Sequence, residues 1–259
     1  MEQISSARNP KVLNLLALQE KSRERRRQGL FVVEGRRELE HCLEAGFSVH
    51  TVFFCPEIAG EQLPEALGDA SIIRISPELY RKLAYREGTE GIIAEVYERS
   101  LGLEDLKLPE NPLVVVLESV EKPGNLGAVL RSADACGASA VLVCDPLTDL
   151  YNPNLIRASI GAVFTVPVVA CSSEEAISWL QGHGIRILTA QLQDSSLYYD
   201  CDMRGATAVV MGTESTGLSQ QWRCAADAHI RIPMLGRLDS LNVSVSASIL
   251  LFEALRQRR

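Results

Sequence analysis

No run of about 18 apolar residues occurs in this chain of 259 residues, so the sequence predicts no membrane-spanning helix. The opening stretch, Met1-Glu2-Gln3-Ile4-Ser5-Ser6, lacks the apolar core of a secretory signal, and a cytoplasmic location is expected. No Cys-x-x-Cys pair occurs among the seven cysteines, several of which sit inside apolar runs such as Val141-Leu142-Val143-Cys144. That pattern fits reduced core thiols better than a disulfide framework or a zinc site. The four histidines are dispersed, so no metal is expected.

What is present is a sizeable apolar fraction, 46%, and an uneven charge. At roughly 100 to 200 residues per domain the length suits two domains. The net charge of −7 speaks at face value against a nucleic-acid partner. Between Arg8 and Arg37, however, nine basic residues face three acids, a local +6 that leaves −13 for the remainder. Such a segment can hold phosphates by releasing their counterions, or it can be a solvated helix face with mixed signs.

Periodicity divides the chain at about residue 100. Before it, Asn9 to Gln28 reads as a helix, Leu30 to Val33 as a strand, and Arg36 to Ala45 as a helix stopped by Gly46. Val49 to Cys55, Ser71 to Ile75 and Gly91 to Val96 read as strands, with a short helix near Pro77 to Ala84. Residues 1–100 thus form a small α/β domain. Residues 101–111, polar and without period, read as a linker. Residues 112–259 alternate helical segments with apolar strands at Leu113 to Leu117, Ala140 to Cys144, Val166 to Ala170, Ile185 to Leu188 and Thr207 to Met211. Near-continuous Val/Ile/Leu runs of this kind indicate a mainly parallel sheet with helices on both faces. Ligands in such sheets bind beyond the carboxyl ends of the strands.

Two loops at those ends stand out. In Glu118 to Gly127 (ESVEKPGNLG), Asn125 is placed to cap a helix that Gly137 stops, and Arg131 on that helix has only short neighbours. Arg131 is then either an ordinary surface cation paired with Asp134 or a docking point. The loop matches neither G-x-G-x-x-G nor G-x-x-x-x-G-K-[ST], so neither a dinucleotide nor a nucleoside triphosphate is supported. In Met211 to Ser219 (MGTESTGLS), two glycines five apart allow a ligand close to the backbone, with Glu214 held between them, although a tight turn before a helix also explains them.

Three stretches, ESVEKPGNLGAVLRSADACGA, VVMGTESTGLS and IRIPMLGRLDSLNVSVSASILLFEALRQR, resemble in order and spacing the three motifs of the SpoU (TrmH) family of RNA ribose 2′-O-methyltransferases. The resemblance runs from about Leu113 to Arg258. ISSARNPKV and FVVEGRRELEHCLEAGF resemble the small substrate-binding domain that precedes the catalytic one in many members.

The resemblance implies an α/β fold whose carboxyl end forms a deep trefoil knot, a homodimer, and S-adenosyl-L-methionine as methyl donor. By motif position it implies cofactor contacts at Gly212, Ile232 and Leu241, with Gly217, Met234 and Ser244 close by. Arg131, Asn125, Glu214, Ser240 and Asn242 fall on the family's catalytic positions. A guanidinium is a poor proton acceptor, so Arg131 is expected to grip the substrate phosphate and stabilise the developing alkoxide. The basic segment then reads as RNA contacts at Arg8, Lys11, Arg23, Arg25, Arg26, Arg27 and Arg36. Ribosomal 23S RNA is the expected substrate. The alternatives are the same chemistry on tRNA, a related knotted enzyme that methylates a base nitrogen, or a noncatalytic RNA-binding or ribosome-assembly protein. The tail is expected to be helical from about Asn242, with Val245, Ile249 and Phe252 facing inward and Ser244, Ala247 and Ser248 allowing close packing.

Overall fold

The computed structural model describes residues 2–60, 62–64, 66–85, 90–213, 216–238 and 240–259. Its first elements are β1 (Glu2–Ile4), α1 (Pro10–Glu20), α2 (Ser22–Gln28), β2 (Leu30–Glu34), α3 (Arg36–Glu44), β3 (Val49–Phe54), α4 (Pro56–Ala59), β4 (Ser71–Ile75), α5 (Pro77–Leu83) and β5 (Ile92–Tyr97). Then come β6 (Leu113–Glu118), α6 (Pro123–Cys136), β7 (Ala140–Cys144), α7 (Pro153–Ser159), α8 (Ala162–Thr165), β8 (Val168–Cys171) and α9 (Ser173–Gly182). The chain finishes with β9 (Arg186–Ala190), β10 (Ser196–Leu197), β11 (Thr207–Met211), α10 (Gln220–Ala225), β12 (Ala228–Arg231) and α11 (Val243–Gln257). Two compact units result, residues 1–99 with 149–165, and residues 100–148 with 166–259.

In the first unit the sheet order is β1-β4-β3-β5-β2. It is mixed: β5 runs antiparallel to both β2 and β3, whereas β4 is parallel to β1 and β3. Val12, Leu15 and Leu18 of α1 pack with Phe53, Ile73 and Tyr80 in its core. Residues 149–165 join this unit through aromatic contacts, Tyr151 stacking on Phe31 at 4.3 Å and Phe164 meeting Phe47 edge-on at 5.4 Å.

The expected single helix from Asn9 to Gln28 is in fact α1 and α2, broken at Lys21, whose backbone is extended (φ −116°, ψ 109°). Arg25 accounts for the break. Only 3% exposed, it donates to the carbonyls of Leu18 at 2.6 Å and Gln19 at 3.2 Å, and pairs with Asp149 at 2.7 Å. A cation here satisfies the carbonyls that a helix end leaves over and complements its dipole. Arg25 therefore drops out of the expected RNA contacts, because a guanidinium committed inside the protein cannot meet a phosphate.

The second unit holds a seven-stranded sheet in the order β10-β12-β9-β11-β6-β7-β8, with every pairing parallel. Val114, Val116, Leu142, Ile187 and Val210 build one core with Trp222, whose indole N–H donates to Ser173 Oγ at 2.9 Å. Leu101, Leu103, Leu106 and Leu108, from the stretch expected as a linker, pack against that core. β10, with two residues, is too short to show a period, and the last strand, β12, ends at Arg231, so that Ile232 to Met234 follow it and do not finish it.

The tail helix α11 begins where expected, capped by Asn242, but a different face is buried. Val243, Ala247, Leu250, Leu251 and Ala254 turn inward, while Val245 and Phe252 are each 46% exposed and Ile249 is half-buried. The expected inward set is thus corrected: the 3.6-residue repeat runs through the small side chains. They let α11 approach α6 until Ser248 and Ser132 share a hydrogen bond at 2.7 Å.

The seven cysteines are free thiols. Burial pushes the Cys42 thiol up to about 12, which keeps it protonated and unreactive. Among the described residues no helix is long and apolar enough to cross a membrane. Among the same residues no group of three or more His, Cys, Asp or Glu side chains could hold a metal ion.

Candidate active site

The strand ends of the second unit converge on one cleft. Its walls come from the residues after β9 and β12, from the loop after β11, and from the start of α11, and they enclose about 390 Å³. That volume lies in the usual range for small-molecule sites, roughly 300 to 1,000 Å³. Gly212, Gly217, Ile232, Met234, Leu241 and Ser240 all line it.

The loop after β11 owes its shape to two glycines. A Cβ on Gly212 would stand 2.3 Å from the carbonyl carbon and oxygen of Gly217, so only glycine lets the two strands of the loop approach this closely. Gly217 has φ +67°, a left-handed conformation that glycine adopts at little cost. Its N–H donates to Thr213 O at 3.1 Å, and the Thr213 and Thr216 hydroxyls lie 2.7 Å apart. Glu214 lies outside the described residues.

One anchor of this loop comes from the first residue of the ESVEKPGNLG stretch. Glu118, buried at the end of β6, accepts the Ser219 N–H at 2.8 Å and so fixes where the loop runs into α10. An acid closing an otherwise apolar strand is the signal by which the sequence could have disclosed it.

A smaller hollow of about 150 Å³ adjoins the cleft and shares Gly212, Thr213 and Val243 with it. Asn125 lines this hollow, but it does not cap α6: Lys122 occupies the cap and Pro123 the first helical position, which places Asn125 in the first turn. Its side-chain oxygen accepts from Asn242 Nδ2 at 3.1 Å. Asn242 in turn accepts the Ser244 N–H at 2.9 Å and the Ser244 hydroxyl at 2.6 Å, which caps α11. Both amides are thereby oriented, and the starts of α6 and α11 are joined by residues 117 apart in sequence.

Ser244 is turned toward Asn242 and does not line the cleft. Arg131 is exposed on α6 and lines neither hollow. Sequence reasoning missed Gln191, Gln193, Arg223 and Arg231, which also line the cleft. Arg223 brings a guanidinium to the cleft wall, although its Nε is itself buried.

The expected RNA contacts of the first unit divide by environment. Arg8, Arg23 and Arg26 are exposed. Lys11 pairs with Glu2, Arg27 with Glu24 at 2.7 Å, and Arg36 with Glu40 at 3.9 Å, which offsets part of their charge.

Comparison with known proteins gives two family matches. The SpoU rRNA methylase family model matches residues 112–252, and the MRM3-like substrate binding domain model matches residues 9–94. The chain is 30% identical over 265 residues to the 23S rRNA (uridine(2479)-2′-O)-methyltransferase of Streptomyces viridochromogenes, covering 98% of this chain and 92% of the relative. It resembles the crystal structure of an RNA 2′-O ribose methyltransferase with a TM-score of 0.84 and 38% identity, over 99% of each chain. The AdoMet-bound rRNA methyltransferase from Sinorhizobium meliloti superposes with a TM-score of 0.89 at 28% identity, over 98% of this chain and 97% of that one.

Proposed function

Because the chain belongs to the SpoU rRNA methylase family, we propose that it transfers a methyl group from S-adenosyl-L-methionine to a ribose 2′-hydroxyl of 23S ribosomal RNA, in the cytoplasm. The observation that carries this reading is the close backbone approach of Gly212 and Gly217 on the wall of a ligand-sized cleft.

The residues present fit that cofactor. The glycine loop offers backbone groups to a neutral adenine, Ile232, Met234 and Leu241 offer apolar surface, and the Arg223 guanidinium on the cleft wall offers a cation to a carboxylate. When bound, S-adenosylmethionine supplies an electrophilic methyl group on a good leaving group. The chain's own residues then have to place the ribose hydroxyl and assist its proton. The Asn125–Asn242 pair, held at 3.1 Å beside the shared wall of the two hollows, is the rigid element that orients the ribose, with Ser240 and Glu214 assisting. Arg131 grips a substrate phosphate and stabilises the alkoxide as it forms.

Residues 112–259 are the methyltransferase domain in this reading and residues 1–100 the RNA-binding domain, except that 149–165 pack with the latter and 101–111 with the former. Support for the implied knot comes from the strand order, in which β11 sits between β6 and β9, and from the packing of α11 on α6. Exposed Leu241, Val245 and Phe252 support a homodimer through this domain. Arg8, Arg23 and Arg26, exposed on the RNA-binding domain, are its foremost phosphate contacts.

Arg131→Ala tests the assignment: methyl transfer should be abolished while the cofactor Kd by calorimetry stays within about twofold of wild type. Wild-type turnover in that variant would overturn it.

A further inference from the structure

The antiparallel register of β3 and β5 slips at one place. Val49 faces Val96 and Thr51 faces Glu95, so His50 is the extra residue of a β-bulge. Bulges re-aim side chains and are concentrated beside functional sites. Here the re-aimed imidazole sets Nδ1 2.8 Å from Thr51 Oγ1 and 3.2 Å from Glu95 Oε2.

Glu95 is 3% exposed, and burial pushes its carboxyl above the usual carboxylate range. A buried carboxylate is costly unless partnered, and this one is held from two sides. Asn14 donates to its other oxygen at 3.3 Å, and Gln28 donates to Asn14 at 2.9 Å. This chain, with Glu95 and Thr51 buried and Asn14 and Gln28 half-buried, ends on a side chain that is itself 43% exposed. Tyr97, 47% exposed, meets the His50 ring edge-on at 5.4 Å. Stability alone does not call for so much buried polarity behind one surface imidazole.

Both rings border a hollow of about 500 Å³, together with Phe47, Ser48, Asp69 and Ser71. Its walls combine aromatic faces with hydroxyls and an exposed carboxylate. Asp69 disfavours a phosphate inside it, and the polar wall disfavours a purely apolar guest. A nucleobase offers a π-face to the rings and hydrogen-bonding edges to the wall. Of the four RNA bases, guanine presents two adjacent N–H donors on one edge, the pattern that a carboxylate accepts best. Arg99, 5.6 Å over the Phe47 ring, supplies a cation beside the hollow for the neighbouring phosphate.

The geometry points to a pocket in the first unit that takes one unpaired guanine of the RNA, stacked on Tyr97 with the His50 ring meeting its edge, and read by Asp69. It rests on the reading of the protein as an RNA methyltransferase, which does not assign this hollow.

The test uses the full chain and two fluorescent, unpaired RNAs, oligouridine and the same oligomer with one central guanine, followed by anisotropy. Wild-type protein should bind the guanine-containing RNA about tenfold more tightly, within the range that base stacking and edge recognition supply. Asp69→Asn should remove the preference. Tyr97→Ala should weaken binding of both RNAs, and Tyr97→Phe should restore it. In methyl transfer to ribosomal RNA, Tyr97→Ala should raise KM for RNA with kcat and cofactor Kd unchanged. An equal affinity for both RNAs, a greater one when adenine or cytosine replaces the guanine, or a preference that survives both Asp69→Asn and Tyr97→Ala overturns the pocket. Absence of methyl transfer by the wild-type protein overturns the enzymatic reading instead, so the two failures are distinguishable.

Discussion

Gly212→Ala is the substitution whose consequence follows most directly from the geometry. The new methyl carbon would lie 2.3 Å from both the carbonyl carbon and oxygen of Gly217, and 2.6 Å from Leu218 N. All three are backbone atoms, so no flexible side chain can swing aside. Non-bonded carbon atoms settle at roughly 3.5 to 4.0 Å, so the loop must open by about 1 Å. A misplacement of about 1 Å in a preorganised site can cost about 100-fold, or about 2.7 kcal/mol. Calorimetric titration with S-adenosylmethionine should therefore show about 100-fold weaker binding, with the circular dichroism of the fold retained. Gly217→Ala provides the scale: its Cβ meets nothing nearer than the Arg223 guanidinium at 3.9 Å, and only the left-handed φ of +67° is strained. That strain is worth about 1 kcal/mol, so the loss should be nearer fivefold to tenfold. A Gly212→Ala protein with wild-type affinity would refute the role given to this loop.

Arg25→Ala leaves Asp149 and two helix-end carbonyls without their partner, and should lower unfolding stability by about 3 to 5 kcal/mol in denaturant titrations. Arg23→Glu with Arg26→Glu should leave stability within about 0.5 kcal/mol but weaken RNA binding and reduce its salt dependence. Asn242→Ala removes the cap of α11, worth about 1 kcal/mol, and the hydrogen bond to Asn125; kcat should fall at least about tenfold while cofactor affinity changes little. Hydrogen bonds from the Ser172 N–H and hydroxyl hold the Glu175 carboxyl below its usual value of 4.5. Its contribution is therefore present above pH 4.5 and is lost as pH falls through the lower folded value, so Glu175→Gln should flatten the acid limb of the stability curve.

The parallel sheet was legible because β6, β7 and β11 are buried on both faces and read as unbroken apolar runs. The cleft was legible through Gly212 and Gly217, since a backbone that must come close tolerates no side chain. What escaped depends on partners distant in sequence. Lys21 breaks a helix that local propensity would continue, because Arg25 turns back on α1 to reach Asp149. Asn125 looks like a cap beside Pro123 and Gly124, yet it is Pro123 that opens α6, and the Asn125 amide is occupied by Asn242. On α11, Val245 and Phe252 are more apolar than Ala247, yet Ala247 is the buried one, next to the Ser248 that bonds Ser132 of α6. The attachment of residues 149–165 to the first unit rests on the stacking of Tyr151 on Phe31, a contact that leaves no periodic trace.

The central claim is the chemical identity of the methylated atom. Protein incubated with labelled S-adenosylmethionine and ribosomal RNA from a strain lacking its gene, followed by digestion to nucleosides, gives that atom directly. The account predicts label in a single 2′-O-methylnucleoside of 23S RNA. Label on a base nitrogen, or none on any RNA while the cofactor still binds, would contradict it.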